Sequence, residues 1–286
     1  MLNSDIHIKE KKILIGNNQL NYIECGTGES MIFLTNGGGF WKSWIHQITH
    51  FSQKYRVYAI DWPGCGDSDV FAKMPELDFF LSILTKFVDL IQLKNIMIVG
   101  NCIGASVALK YNILNPENVK KLILFNICPG DKIFPNQTTR QFIKNLNYFT
   151  FLKPIISELI RLSIIYTPLK QHFPAMLFGK NTNKDSELYK SLEIKVRQKI
   201  QSYSRINLLA SLYTYNCDLI IKDKLIPENI LFWGSENQVT SLEKHGNYHN
   251  QILKPIHFYT IKQGGHLCMF EFPDGVNSLI EKYLTC

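Results

Sequence analysis

Ile96-Met97-Ile98-Val99-Gly100-Asn101-Cys102-Ile103-Gly104-Ala105 is the stretch that decides how this chain folds. A short β-branched apolar run meets the pattern G-x-C-x-G and passes without a break into Ala105–Asn115, a helix-forming segment closed by Pro116. Strand, tight turn and helix in that order hold the central residue of the turn at the top of a sheet, in a strained conformation. The flanking glycines let strand and helix pack closely, because neither carries a Cβ. The central residue is Cys102, and the positive end of the following helix favours its thiolate. An isolated free cysteine is more often a small core residue; this context reverses that expectation.

Working outward, Met31-Ile32-Phe33-Leu34-Thr35-Asn36-Gly37-Gly38-Gly39-Phe40 is a second strand, ending in a glycine cluster. Such a loop can offer backbone N–H groups to a developing oxyanion, and the N–H groups of Gly38 and Ile103 are the expected pair. Asn36, Gly37, Phe40 and Asn101 are then candidate substrate-binding positions. Downstream, Gln263-Gly264-Gly265-His266-Leu267-Cys268 follows the last strand-like run. Its histidine comes after the cysteine turn in the chain, the order nucleophile, third member, histidine. His266 is the expected base.

Between these motifs, short β-branched runs alternate with longer amphipathic segments, the mark of a mostly parallel sheet with crossover helices. Strands are expected at Ile8–Ile15, Gln19–Glu24, Met31–Thr35, Arg56–Asp61, Ile96–Val99, Lys121–Phe125, Asn229–Trp233 and Ile256–Ile261, and helices at Trp44–Gln53, Asp78–Ile91, Ala105–Asn115 and Asp274–Leu284. From 130 to 226 helical periodicity dominates, as in Thr139–Asn147, Ile155–Ile165 and Leu188–Ser202. This region reads as a helical cap inserted before the last two strands, with residues 1–129 and 227–286 forming the core. Phe149, Phe151, Tyr166, Phe173, Met176 and Phe178 supply the cap with apolar bulk.

Taken together, these motifs resemble the capped α/β-hydrolase family over nearly the whole chain. The glycine loop at Asn36–Gly39, the segment Asp61-Trp62-Pro63-Gly64-Cys65-Gly66-Asp67-Ser68, the cysteine turn and Gly265-His266 occur in the family's order. The resemblance implies a mostly parallel eight-stranded sheet flanked by helices, with Asp61 and Asp67 structural. Three positions depart from the family pattern. Its nucleophile is generally serine, and here it is Cys102. An aspartate is usual four positions into the turn after the next-to-last strand, where Phe232-Trp233-Gly234-Ser235-Glu236-Asn237 places Asn237. A histidine commonly stands where this chain has Asn36.

The first two departures are mutually compatible. A serine hydroxyl loses its proton only in the transition state and needs a base stiffened by a carboxylate. A thiol can form a thiolate–imidazolium pair beforehand, so a neutral amide suffices to orient the ring. Cys-His-Asn is a known variant of the triad. Asn237 is therefore expected to orient His266, with Asp131 as runner-up and Glu236 behind it; the plain alternative is that Asn237 only caps its turn. An engineered serine-to-cysteine change is the other origin of Cys102, and Asn237 argues for a natural cysteine.

Composition narrows the field. With 286 residues the chain can bury one large core. Its net charge of +7, from 31 basic and 24 acidic residues, is not gathered into a block, which argues against nucleic-acid binding. The N-terminal Met1–Lys12 stretch lacks the apolar core of a secretory signal, and no uncharged run is long enough to span a bilayer. Seven scattered cysteines, without a C-x-x-C pair, suit a reducing cytoplasm and suggest no metal site. No cofactor is implied. The expected activity is acyl transfer through an S-acyl intermediate on Cys102, from an ester or thioester that is small or carrier-bound, an acyl carrier protein included. Water as acceptor ranks ahead of an amine or thiol, and a hydrolase-derived ligand-binding protein is the reading from a different class.

Overall fold

The computed structural model describes residues 8–71, 76–134, 136–166, 176–182, 187, 189–191, 206–212 and 228–285. Eight strands form one sheet: β1 (Lys9–Ile15), β2 (Asn18–Cys25), β3 (Ser30–Leu34), β4 (Arg56–Ile60), β5 (Ile96–Asn101), β6 (Val119–Phe125), β7 (Asn229–Gly234) and β8 (His257–Ile261). Their spatial order is β1-β2-β4-β3-β5-β6-β7-β8. β1 and β2 pair antiparallel, β2 meets β4 antiparallel, and every later pairing is parallel.

The central strands are mostly apolar, with polar residues confined to their ends, because both faces of the sheet are covered. Alternate residues separate cleanly between two cores. Ile32, Leu34, Ile98, Leu122, Leu124, Leu231 and Trp233 face one side; Met31, Phe33, Met97, Val99, Ile123, Phe125, Ile230 and Phe232 face the other. On the first side lie α2 (Leu77–Ile91) and α3 (Ile103–Leu114). Phe79, Phe80, Ile83, Leu84, Phe87 and Val88 recur at helical spacing on α2 and are buried. That helix stops at Gln92, whose left-handed backbone (φ 60°) returns N–H bonds to the last carbonyls. Opposite lie α1 (Ile45–Phe51), preceded by a 3-10 turn at Trp41–Trp44, and α8 (Pro273–Leu284). The expected helix at Trp44–Gln53 is thus divided at Trp44 into two helix types.

In the expected cap region, α4 (Gln137–Tyr148) and α5 (Leu152–Tyr166) are helical where periodicity placed Thr139–Asn147 and Ile155–Ile165. Most of Leu188–Ser202 lies outside the described residues, as do Phe173 and the side chain of Tyr166. Phe149 and Phe151 pack edge to face with each other and remain 51% and 67% exposed. Phe178 is instead buried between Tyr189 and Phe270, on the histidine loop's side of the core. The short helices α6 (Asn247–Leu253) and α7 (Cys268–Glu271) complete the described elements named below. Among the described residues, no helix is long and apolar enough to cross a membrane.

Candidate active site

The carboxyl ends of β3, β5, β6, β7 and β8 converge, and each delivers one part of the site, as parallel sheets tend to do. Cys102 sits between β5 and α3 with φ 55° and ψ −113°, a conformation costing on the order of 1–3 kcal/mol for a residue with a side chain. The glycines on either side have no alternative. A Cβ on Gly100 would stand 2.6 Å from the Gly104 and Ala105 backbone, and one on Gly104 would stand 2.4 Å from the Leu34 carbonyl. The turn is held from three directions: the Cys102 N–H donates to the Phe125 carbonyl at 3.0 Å, while the Cys102 carbonyl accepts from Ser106 at 3.1 Å and from the Cys128 N–H at 3.3 Å.

His266 lies within hydrogen-bonding reach of the Cys102 sulfur. Its Nδ1 is 3.2 Å from Asn237 Oδ1. The orientation of the Asn237 amide follows from its other partners. Oδ1 accepts from the Val239 and Thr240 N–H groups, both at 3.0 Å, and backbone N–H groups can only donate. The oxygen therefore faces His266, so Nδ1 carries the proton and Nε2 is left to exchange a proton with Cys102. Of the three candidate orienters, Asn237 is the one bonded to the ring. Asp131 pairs with Arg140 at 3.4 Å, and Glu236 accepts from the Lys180 N–H at 2.8 Å.

Behind Asn237 stands a residue that sequence reading did not single out. Asn126 follows β6 with φ 45° and is fully buried. Its Oδ1 accepts from Asn237 Nδ2 at 3.0 Å and from the Gly234 N–H at 3.1 Å. Its Nδ2 donates to the His266 carbonyl at 3.0 Å and to Asn101 Oδ1 at 3.2 Å. Asn101, expected among the substrate-binding positions, is fully buried and donates to the same His266 carbonyl at 3.2 Å. Its amide thus serves the histidine loop. The available signal for Asn126 was an asparagine directly after a buried strand, a type that tolerates left-handed backbone.

Glu271 is the second residue missed. It accepts from the Gly265 N–H at 2.7 Å, the Gly179 N–H at 2.6 Å and the Thr182 hydroxyl, joining the histidine loop to residues 176–182. Burial raises its pKa against those bonds.

The Cys102 thiol is held well below the usual thiol range, first by a hydrogen bond from Cys128 and then by the charge and hydrogen bond of His266 and by the Ile103 N–H. These outweigh burial, which acts in the opposite direction. Cys268, two residues beyond His266 and equally enclosed, is pushed up to about 12 by burial. Two buried cysteines in one site thus differ in acidity because one meets donors and an imidazole.

The glycine loop lies over the turn. Gly37 is packed so that a Cβ would meet Leu208 at 2.1 Å and Ile103 at 3.2 Å. Gly38 has φ 84°, and the Gly39 N–H closes the loop onto the Asn36 carbonyl at 3.0 Å. Asn36 is buried, and its Oδ1 has no partner among the described residues. Phe40 is buried in the core. Asp61 supports this loop from beneath, accepting from the Trp41 N–H, Asn21 Nδ2 and the Asp67 N–H at 2.8, 2.8 and 3.1 Å. Among the described residues, no three His, Cys, Asp or Glu side chains are grouped to hold a metal ion.

Comparison with known proteins agrees with this architecture. The family described as alpha/beta hydrolase fold matches residues 29–150. Mouse epoxide hydrolase 4 is 24% identical over 282 residues, spanning 93% of this chain and 76% of that protein. The 2-hydroxy-6-oxononadienedioate/2-hydroxy-6-oxononatrienedioate hydrolase of Escherichia coli K12 is 22% identical over 281 residues, spanning 93% of this chain and 91% of that protein. Among solved structures, the Cif epoxide hydrolase of Acinetobacter nosocomialis superimposes with a TM-score of 0.79 at 16% identity, covering 97% of this chain and 89% of that one. These likenesses support an enzyme of the hydrolase type.

Proposed function

Because this chain has the α/β-hydrolase fold and its matches support that family, we propose that it is an acyl hydrolase with a cysteine nucleophile, acting on an ester or thioester. The observation that carries the reading is Cys102 at the strained turn, acidified by Cys128 and His266. In this mechanism the Cys102 thiolate attacks the carbonyl carbon, and the carbonyl π electrons move onto oxygen. The N–H groups of Ile103 and Gly38 receive that oxyanion. Collapse of the intermediate expels the alcohol or thiol, which takes its proton from His266 Nε2. His266 then removes a proton from water, which attacks the thioester, releasing the acid and restoring the thiolate. Asn237 keeps the ring in the required tautomer throughout. A neutral orienter suffices because the thiol ionises before substrate arrives.

Residues 130–226 act as the cap over this site in the same reading, and cytoplasm is its compartment, as seven scattered cysteines without a C-x-x-C pair suggest. Transfer to an amine or thiol is the second reading. It is favoured by the enclosure of Cys102 and His266, which are 7% and 1% exposed and so poorly supplied with water. The named activities of the relatives, epoxide hydrolase and 2-hydroxy-6-oxononadienedioate hydrolase among them, belong to those proteins, and a cysteine at the turn argues for thioester chemistry here.

Intact mass spectrometry with a panel of acyl thioesters and activated esters tests the proposal, with Cys102→Ala beside the unaltered chain. An acyl mass or turnover that is lost in the variant is expected. Ligand binding with neither acylation nor turnover would leave a hydrolase-derived binding protein as the better description.

A further inference from the structure

A second cleft, of about 600 Å³, opens between the segment that follows β6 and the turn that leads into α6. That volume is within the range of small-molecule sites, roughly 300–1,000 Å³. Lys132, Arg140, Lys244 and His245 line it together with Phe134 and Tyr248, and among the described residues no aspartate or glutamate does. The first turn of α4 also borders it through Gln137, adding the positive end of a 12-residue helix. Arg140 meets Asp131 twice, at its carboxylate and at its carbonyl, and both contacts use Nη2. The rest of its fork of donors can therefore serve another group.

His245 is the observation that points to a ligand. It is 7% exposed, yet it lines the cleft. Nε2 lies 3.3 Å from the Lys132 carbonyl, an acceptor, so that nitrogen carries a proton. Nδ1 is buried and has no partner among the described residues. A buried polar atom left in that state costs about 1–3 kcal/mol. Burial, with Lys244 and Lys132 nearby, lowers the pKa of His245 despite the Lys132 carbonyl. The other groups around it are Arg140 with Asp131 on the α4 side, Lys132 over the ring of Tyr248, and His249, whose Nδ1 contacts the His245 carbonyl at 2.7 Å. The imbalance of charge is one that an anion would correct.

We propose that this cleft binds the phosphate end of a small molecule, with Arg140 and Lys244 holding the phosphate oxygens, His245 taking up a proton at Nδ1 on binding so that this nitrogen donates to them, and Phe134 and Tyr248 covering its apolar or planar part. The multiple oxygens of a phosphate suit several donors arriving from two sides, where a single carboxylate would satisfy fewer. This inference stands apart from the chemistry of Cys102, since it concerns binding alone.

Pyrophosphate is the probe, titrated by calorimetry at fixed ionic strength while NMR follows the His245 imidazole. One site per chain is expected, with the His245 titration moving to higher pH on binding. Arg140→Gln and Lys244→Gln, both at the surface, should each weaken affinity roughly tenfold, a change of about 1.4 kcal/mol. His245→Asn should abolish the linked proton uptake. Absence of pyrophosphate binding overturns the proposal. So does binding unchanged in the Arg140 and Lys244 variants, or acetate binding equally well at matched ionic strength, which would show charge screening in place of a site.

Discussion

Replacing Asn237 by aspartate would supply the carboxylate that a serine triad uses, and the structure predicts that it destabilises this protein. Asn237 Nδ2 stands 3.0 Å from Asn126 Oδ1. In the variant an acceptor faces an acceptor at that distance. Asn126 cannot relieve the contact by turning over, because its Nδ2 is committed to the His266 and Asn101 oxygens and its Oδ1 to the Gly234 N–H. Turning the aspartate helps no further, since its other oxygen is needed by Val239, Thr240 and His266. Of the two bonds that Nδ2 donates, the one to Thr240 Oγ1 at 2.9 Å can be replaced by the hydroxyl turning to donate, but the one to Asn126 is lost, worth about 1 kcal/mol, and two buried acceptors are left facing each other, costing about 1–3 kcal/mol more. The sum of about 2–4 kcal/mol lowers Tm by roughly 5 °C or more for a chain of this size. Urea and thermal unfolding, followed by circular dichroism at neutral pH, measure it directly. An Asn237→Asp protein as stable as the unaltered one, or more stable, would refute the view that Asn126 dictates an amide at this position.

Four further outcomes are expected. Iodoacetamide should alkylate Cys102 first and Cys268 last, as peptide mapping would show, because burial pushes Cys268 up to about 12 while donors hold Cys102 low. Cys102→Ser should lose several orders of magnitude in kcat against an activated ester, since a neutral orienter in a serine triad costs about 10⁴-fold; a fully active serine variant would contradict the preformed thiolate. Gly104→Ala should cost at least about 3 kcal/mol or prevent folding, its Cβ meeting backbone of the central strand β3, whereas Gly275→Ala meets open space in α8 and should raise Tm slightly. Asp61 is pushed up to about 6 by burial, above its unfolded value near 4. Its contribution is fully present below pH ~4 and is lost as pH rises through about 6, a fall of about 3 kcal/mol. Asp61→Asn, although less stable, should lack that slope in urea titrations at the two pH values.

The parts of the molecule legible in the sequence are those governed by local rules. Strand and helix positions among the described residues followed from period and from turn residues, with shifts of one to three residues at their ends. The turn at Cys102 was readable because glycine at 100 and 104 has a steric cause, seen in the close approach of Leu34 and Ala105 backbone. His266 and Asn237 were readable from chain order. Asn126, Cys128 and Glu271 were not, because each acts through bonds to residues far away in the chain. Asn126 reaches His266 across 140 positions, and Glu271 reaches Gly179 across 92. The substrate-binding expectation for Asn101 met the same limit. Its place in the strand was clear, but its side chain turns toward the histidine loop, where a carbonyl requires a donor.

Asn126 also gives a physical reason why cysteine and asparagine occur together here. Asn101, Asn126 and Asn237 form a chain of neutral amides, each oxygen meeting a nitrogen, that carries the His266 loop from beneath. Such a chain is satisfied without burying a charge, so it avoids the desolvation cost that a carboxylate would carry at the same depth. A neutral support has a consequence for catalysis. It positions the imidazole but offers little to a charge that appears only during reaction. In the proposed mechanism such a support suits a nucleophile that ionises before the substrate binds, as a thiol does. The Cys128 hydrogen bond and the helix N-terminus supply the stabilisation that a carboxylate would otherwise send through the ring. The support beneath the histidine and the identity of residue 102 are in this sense one choice, made twice in the sequence.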